Sequence, residues 1–135
     1  MYYFAYALNL NKKQMAAASP QSRPMYTATL HNYRLLFTGW TRQWRGGIAT
    51  VKRSAGDKVL GAIYDIPDTD WAKLDRTEDC PGNFERIKVI VNNEDGEATE
   101  AVTYIKKGQF QPDESKPSPE YLKIIQQGYK DWRLI

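Results

Sequence analysis

Two clusters of turn-forming residues, Ser54-Ala55-Gly56-Asp57 and Asn92-Asn93-Glu94-Asp95-Gly96, each lie between β-rich runs. This pattern points to antiparallel hairpins at the centre of the fold. Around the second cluster, Phe84 to Val91 alternates through Ile87, Val89 and Val91, and Ala98 to Ile105 is its expected partner. Around the first, Gly47 to Val51 is a short β-rich run and Val59 to Ile66 a mostly apolar strand, read together as a second hairpin. Two more strands are expected. Tyr2 to Tyr6 is aromatic and apolar without a charge, which suits a buried strand. Met25 to Phe37 places apolar residues between polar ones, with a break at His31-Asn32.

Helical signals are fewer. Asn9 and Asn11 interrupt the first apolar run, and Lys12 to Ala18 is rich in strong helix formers. Pro67-Asp68-Thr69-Asp70 opens a second helix, with Asp68 or Thr69 as its cap. Trp71, Leu74 and Thr77 or Glu78 share a face of that helix, and Cys80-Pro81-Gly82-Asn83 ends it. Ser118-Pro119 has the form of an N-cap followed by an N1 proline. Tyr121, Leu122, Ile125 and Tyr129 then give an amphipathic final helix. Thr38 to Gly46 and Lys106 to Lys116 read as loops.

The tally is about six strands and three helices, and helices do not alternate with strands. A doubly wound parallel sheet is therefore disfavoured. The fold class expected is α+β: a small mixed or antiparallel β-barrel with flanking helices. The 135 residues suffice for one core, and residues 1–135 are expected to form a single domain.

Composition limits the chemistry. One cysteine, Cys80, forms no internal disulfide, and with one histidine, His31, a zinc site of the usual four ligands is not expected. A Ser-His-Asp triad would need His31, which falls inside a strand. No phosphate-loop or dinucleotide signature is present. A net charge of +3 is too weak to argue for nucleic acid. The one aromatic–basic interleaving, Trp40 to Arg45, reads as a surface loop whose tryptophans pack back onto the body. No apolar run approaches the roughly 20 residues of a membrane span. With no secretory signal evident, the expected location is cytoplasmic.

Glu78 is the carboxylate of interest. It follows Trp71 and Leu74 on one helix face: turned toward an apolar interior, its carboxyl would be desolvated and its pKa raised toward values useful for a base, and turned outward it would be a solvated glutamate at a helix C-terminus.

Taken together, these stretches resemble the γ-glutamylcyclotransferase family, including γ-glutamylamine cyclotransferase and AIG2-like proteins. The family's Tyr-Gly-Ser-Asn-Leu is similar to Tyr6-Ala7-Leu8-Asn9-Leu10, and its Gly-Gly-Ile-Ala-Thr to Gly46 through Thr50. Leu74-Asp75-Arg76-Thr77-Glu78 matches its Leu-Asp-x-x-Glu motif. Phe84-Glu85-Arg86, Ala101-Val102-Thr103-Tyr104 and Pro117-Ser118-Pro119-Glu120-Tyr121 follow in family order. Departures are Ala7 and Leu8 in place of glycine and serine, and Phe84 where relatives often have tyrosine.

The resemblance implies release of 5-oxoproline from a γ-glutamyl amino acid or γ-glutamylamine, by attack of the α-amine on its own γ-carbonyl. It makes Glu78 the catalytic acid/base. Tyr6, Ala7, Leu8, Asn9, Leu10, Tyr104 and Tyr121 are its substrate-binding residues, with backbone N–H groups of Ala7 to Leu10 holding carboxylate or oxyanion. It implies no metal or other cofactor, a small-molecule partner only, no nucleic acid or membrane, and a monomer or homodimer. The alternative is a non-enzymatic small-molecule binder of the same fold with an altered substrate loop.

Overall fold

The computed structural model describes residues 1–108 and 114–135. Five strands, β1 (Tyr2–Ala5), β2 (Arg23–Thr41), β3 (Gly46–Asp65), β4 (Phe84–Asn92) and β5 (Ala98–Lys106), form a closed barrel in the order β1-β3-β2-β4-β5. Their pairings are antiparallel except where β5 returns to β1 through the parallel bridge Tyr3↔Val102. Three helices flank it: α1 (Lys12–Ala18), α2 (Trp71–Thr77) and α3 (Pro119–Asp131). The expected barrel with side helices is the fold observed.

Strand β1 is apolar because both of its faces are covered. Phe4 joins a core cluster fed by every strand, with Ala28, Val51, Val89 and Ala101. Tyr3 and Ala5 alternate to the other face and pack with Met15 of α1 and with Trp71 and Leu74 of α2. The helices thus cover one outer wall of the barrel, and β1 lies between them and the interior.

The first hairpin reading is corrected. The runs read as Gly47–Val51 and Val59–Ile66 are not partners: up to Asp65 they are two parts of the single strand β3, and both pair with β2. The register steps from His31↔Lys58 to Tyr33↔Arg53, so Asn32 stands opposite Ser54 to Asp57 as a bulge. Local chemistry there is indeed that of a turn. Asn32 has φ 65° and Gly56 φ 85°, and the Gly56 N–H donates to Asn32 Oδ1 at 3.1 Å. The chain nevertheless continues in the same strand. It reverses instead at residues 42–45, where Arg45 N–H donates to Thr41 O at 2.7 Å. The expected Thr38–Gly46 loop is therefore shorter, because β2 runs on to Thr41. Among the described residues there are five strands rather than about six, because the two runs counted separately form the single strand β3.

The second hairpin, β4 to β5, forms as read, with Asn93 Oδ1 accepting from the backbone of Asp95 and Glu97. Helix α1 spans its expected residues, capped by Asn11, whose Oδ1 accepts from Gln14 N–H at 3.0 Å. Helix α3 has Ser118 as N-cap and proline at N1, as the sequence indicates. The cap of α2 is different. A 3₁₀ turn over Asp68–Asp70 precedes it, and neither Asp68 nor Thr69 makes a capping bond. Asp70 is buried and accepts from Ser19 Oγ at 2.7 Å and Gln21 N–H at 2.9 Å, which pins the α1–β2 connector. Residues 109–113, within the expected Lys106–Lys116 loop, lie outside the described residues. Among the described residues no helix is long and apolar enough to cross a membrane.

Candidate active site

Strand β1 ends at Ala5, and the chain enters a single 3₁₀ turn over Leu8–Leu10. Leu10 N–H closes on Ala7 O and Asn11 N–H on Leu8 O, both at 3.1 Å. Helix α3 clamps this turn from behind. Trp132 Nε1 donates to Leu10 O at 2.9 Å, and Asn11 Nδ2 donates to Ile124 O at 3.1 Å. The contact is close enough that a Cβ added at Gly128 would lie 2.5 Å from the Asn11 nitrogen. Ala7 has φ −144° and ψ −107°, outside both the helical and the extended region.

Helix α2 approaches the turn from the other side. Trp71 and Leu74 are buried and anchor it, and Glu78 follows at its C-terminal end. Asn9 Nδ2 donates to Glu78 Oε1 at 2.5 Å and also lies 3.1 Å from the Tyr3 hydroxyl. Asn9 is 2% exposed, and its Oδ1 has no partner. Burial pushes the Glu78 carboxyl up to about 7, with the Tyr3 hydroxyl and the Asn9 amide opposing the shift. A carboxyl so placed can exchange a proton in either direction at neutral pH.

A second network supports this one. Arg86 grips Asp75 with two bonds, Nε to Oδ1 at 2.9 Å and Nη2 to Oδ2 at 2.6 Å. Tyr104 OH donates to the same Asp75 Oδ1 at 2.6 Å. Burial pushes the Asp75 carboxyl up, but bonds from Arg86 and Tyr104 outweigh it and hold the group below its ordinary value. Three separated motifs, Leu74 to Glu78, Phe84 to Arg86 and Ala101 to Tyr104, thus meet at one carboxylate.

Tyr6, Ala7, Leu8, Asn9, Glu78, Tyr104 and Tyr121 line one narrow cleft of about 30 Å³. Leu10 is not among them. Its side chain is fully buried in the core, and its N–H is spent within the turn. The hydroxyls differ in what they have left to give. Tyr104 donates to Asp75 and Tyr6 to Tyr104 O at 2.7 Å. Tyr121 accepts from Ala49 N–H at 3.0 Å, which leaves its proton available to a ligand. Burial raises the pKa of all three phenols, so each keeps its proton at neutral pH.

Sequence reasoning did not single out Tyr3, Ile48 or Ala49, which also line the cleft. Tyr3 carries a signal only in retrospect, as a tyrosine on the helix-covered face of β1; Ile48 and Ala49 lie in the quoted Gly46–Thr50 segment. His31 is exposed on β2 and takes no part in the cleft. In the Trp40–Arg45 segment, Trp44 packs back against Tyr121 with ring centres 5.2 Å apart, whereas Trp40 is 65% exposed.

Beyond Glu78 the cleft adjoins an outer cavity of about 270 Å³, and Glu78 and Ile48 line both spaces. Its other walls include Thr38, Trp40, Trp44, Phe84 and Lys106. Glu78 therefore stands at the boundary between a narrow polar cleft and a wider chamber.

Known proteins share this arrangement of chain. A human protein named γ-glutamylcyclotransferase is 32% identical over 134 residues, covering 96% of this chain and 70% of its own. The bovine protein of the same name is 33% identical over 135 residues with the same coverage. A solved structure titled γ-glutamyl cyclotransferase superposes with a TM-score of 0.90 at 29% identity, covering 97% of this chain and 79% of that one. The family described as "Gamma-glutamyl cyclotransferase, AIG2-like" matches residues 3–133. On this evidence the chain belongs to the γ-glutamyl cyclotransferase, AIG2-like family.

Proposed function

We propose that the protein is a cyclotransferase that releases 5-oxoproline from a γ-glutamyl compound, with Glu78 as general acid and base. The observation that carries this reading is the Glu78 carboxyl itself: held by Asn9, raised to about 7, and shared by cleft and outer cavity. The reaction is an intramolecular aminolysis. Glu78 takes a proton from the substrate α-ammonium, and the freed amine attacks the γ-carbonyl carbon. The ring nitrogen, cationic after its attack, gives up a second proton, and the amide C–N bond breaks as Glu78 returns a proton to the leaving nitrogen, so that 5-oxoproline forms with a neutral ring nitrogen and the amine departs as its ammonium. No water is consumed and no external nucleophile is needed. Ring closure is unimolecular, so the protein mainly has to hold the γ-glutamyl group folded into a near-attack shape.

The γ-glutamyl group would reach Glu78 from the outer cavity of about 270 Å³, with only its polar end entering the narrow cleft. The N–H groups of Leu8 and Asn9, which engage no other described group, would receive its α-carboxylate or the developing oxyanion. Asn9 Oδ1, buried without a partner, suits an N–H of the substrate, and Tyr121 OH suits an oxygen. Leu8 lines the cleft with bulk where a hydroxyl is the family pattern, which favours recognition by backbone over side chain. The non-enzymatic alternative is not favoured: the proton-handling group stays beside the substrate turn.

A panel of γ-glutamyl amino acids and γ-glutamylamines, assayed for 5-oxoproline, tests the reading. Glu78→Gln should lower turnover by about 100-fold or more while leaving the fold intact. Near-normal turnover in that variant would remove Glu78 from its role.

A further inference from the structure

Among the described residues, Tyr3 carries the one hydroxyl bonded to the side chain that holds Glu78. Asn9 Nδ2 has two hydrogens to give. One goes to Glu78 Oε1 at 2.5 Å and the other to the Tyr3 oxygen at 3.1 Å. Both are thus committed, and a reversed amide would set Oδ1 against the lone pairs of an ionised carboxylate. Tyr3 accepts in this contact, so its own O–H is left to donate. The other cleft hydroxyls are engaged elsewhere. Tyr6 donates to Tyr104 O at 2.7 Å, Tyr104 to Asp75 Oδ1 at 2.6 Å, and Tyr121 accepts from Ala49 N–H at 3.0 Å.

The Tyr3 ring is held from three sides. It is 4% exposed, and it stacks on Tyr64 of β3 with ring centres 6.5 Å apart. Trp71 of α2 and Tyr104 of β5 meet it edge-on, at 6.3 Å and 5.7 Å. The hydroxyl is therefore placed by the barrel and α2, not by the turn that carries Asn9.

Charge favours the same role. Burial, and then the neighbouring Glu78 carboxylate, pushes the Tyr3 phenol well above its ordinary value, so it stays protonated at neutral pH. Of the two groups that oppose the effect of burial on Glu78, the Tyr3 hydroxyl is the larger. Other charged groups nearby have their own partners. Asp75 is gripped by Arg86, while in the outer cavity Asp79 accepts from Asn83 and Lys106 donates to Thr38.

We propose that Tyr3 is a positioning residue for the proton-transfer carboxylate: its oxygen fixes the Asn9 amide toward Glu78, and its O–H donates to the Glu78 carboxylate. The part this plays in catalysis rests on the cyclotransferase reading of Glu78. Tyr3 acts through Asn9 and Glu78, and its phenol keeps its proton throughout. Its effect is to favour the ionised carboxylate, the form that accepts the α-ammonium proton.

The test removes that hydroxyl. Tyr3→Phe keeps the ring and its packing. Glu78 is read directly by NMR in protein isotopically labelled at the glutamate carboxyl carbons, its resonance identified by its loss in Glu78→Gln. It should titrate near 7 in wild type and about one pH unit higher in Tyr3→Phe, the effect of one hydrogen bond to a charged group. Tyr64→Phe is the control. It takes a buried, unpartnered hydroxyl from the ring stacked on Tyr3 and should leave the titration in place. A Glu78 value unchanged in Tyr3→Phe, or moved equally by Tyr64→Phe, would overturn the proposal.

Kinetics on any γ-glutamyl compound that is turned over give a second readout. With Tyr3→Phe, kcat/KM should fall about tenfold near pH 6 and lie within about threefold of wild type near pH 9, where Glu78 is ionised in both. A loss of equal size at both pH values would reduce Tyr3 to a structural part and refute the proposal. Absence of turnover by wild type on every γ-glutamyl compound would count against the cyclotransferase reading instead, and the NMR titration would still decide whether Tyr3 governs Glu78.

Discussion

The side-chain amide of Asn9 donates to Glu78 Oε1 at 2.5 Å, joining residues 69 positions apart in the chain. One comes from the turn after β1 and the other from the end of α2. Their contact couples the proposed substrate turn to the proposed proton carrier, and it opposes the upward shift that burial imposes on Glu78.

A pH profile should reveal that opposition. Glu78 must be ionised in the free enzyme to accept the α-ammonium proton, so kcat/KM should rise through an acid limb near the Glu78 value of about 7. Removing the Asn9 amide takes away a contribution that lowers this value. Asn9→Ala should therefore move the limb to higher pH, besides reducing the rate. A limb that stays in place in the variant would mean that Glu78 is not the group being titrated.

The same shift predicts how stability depends on pH. Glu78 has a folded-state value near 7 against an ordinary 4.5, so its ionised form is disfavoured by folding. The penalty is absent below the unfolded value, grows between the two values, and is complete above the folded one. Glu78→Gln has no such dependence at this position. Its melting temperature relative to wild type should therefore be higher at about pH 8 than near pH 5. A difference between the two proteins that does not vary with pH would contradict this.

Gly128 controls how closely α3 approaches the substrate turn. A methyl group there would lie 2.5 Å from the Asn11 nitrogen and 2.7 Å from the Leu10 carbonyl carbon, both backbone atoms. Gly128→Ala should gain a little helix propensity yet lose about 1–3 kcal/mol overall through overpacking. Displacement of the turn should raise KM more than it lowers kcat. Denaturant titration and steady-state kinetics on the same preparation would check both parts, and an unchanged KM would uncouple α3 from the cleft.

Asp70 is an internal support rather than a helix cap. Its carboxylate receives Ser19 Oγ and Gln21 N–H, and Ser19 is fully buried. Asp70→Ala would leave the Ser19 hydroxyl without its acceptor. The expected cost is about 1–3 kcal/mol, measured by chemical denaturation. Loss of less than about 0.5 kcal/mol, the range of ordinary surface substitutions, would show the connector to be held by other contacts.

Features governed by neighbours in the chain are legible in the sequence. Ser118-Pro119 starts α3, Asn11 lies immediately before α1, and Asn92 to Gly96 reverses the chain between β4 and β5. In each case the atoms that satisfy one another lie within a few residues. The apolar run of β1 reads as buried for a similarly local reason, since both of its faces lack charge. Resemblance in motif order supplied more, placing Glu78 and the Tyr6–Leu10 turn in one site.

Tertiary structure decided the rest. Ser54 to Asp57 carries the residues of a turn, but turn chemistry does not say whether its flanking strands pair with each other or with a third segment. Here both pair with β2, and the turn becomes a bulge. Asp68 and Thr69 are as suitable for capping as Asp70, but only Asp70 is placed to satisfy the buried Ser19. Lys106 looks in sequence like the first charge of a polar loop, yet β5 extends far enough to turn it over the outer cavity. Sequence by itself indicated most of the segments that become strands and helices, because those depend on periodicity and local bonds, and the family resemblance singled out Glu78 as the carboxylate of interest. The company that carboxylate keeps — Asn9, Tyr3 and a lysine across a chamber — depends on barrel closure, which brings together groups that no local pattern relates.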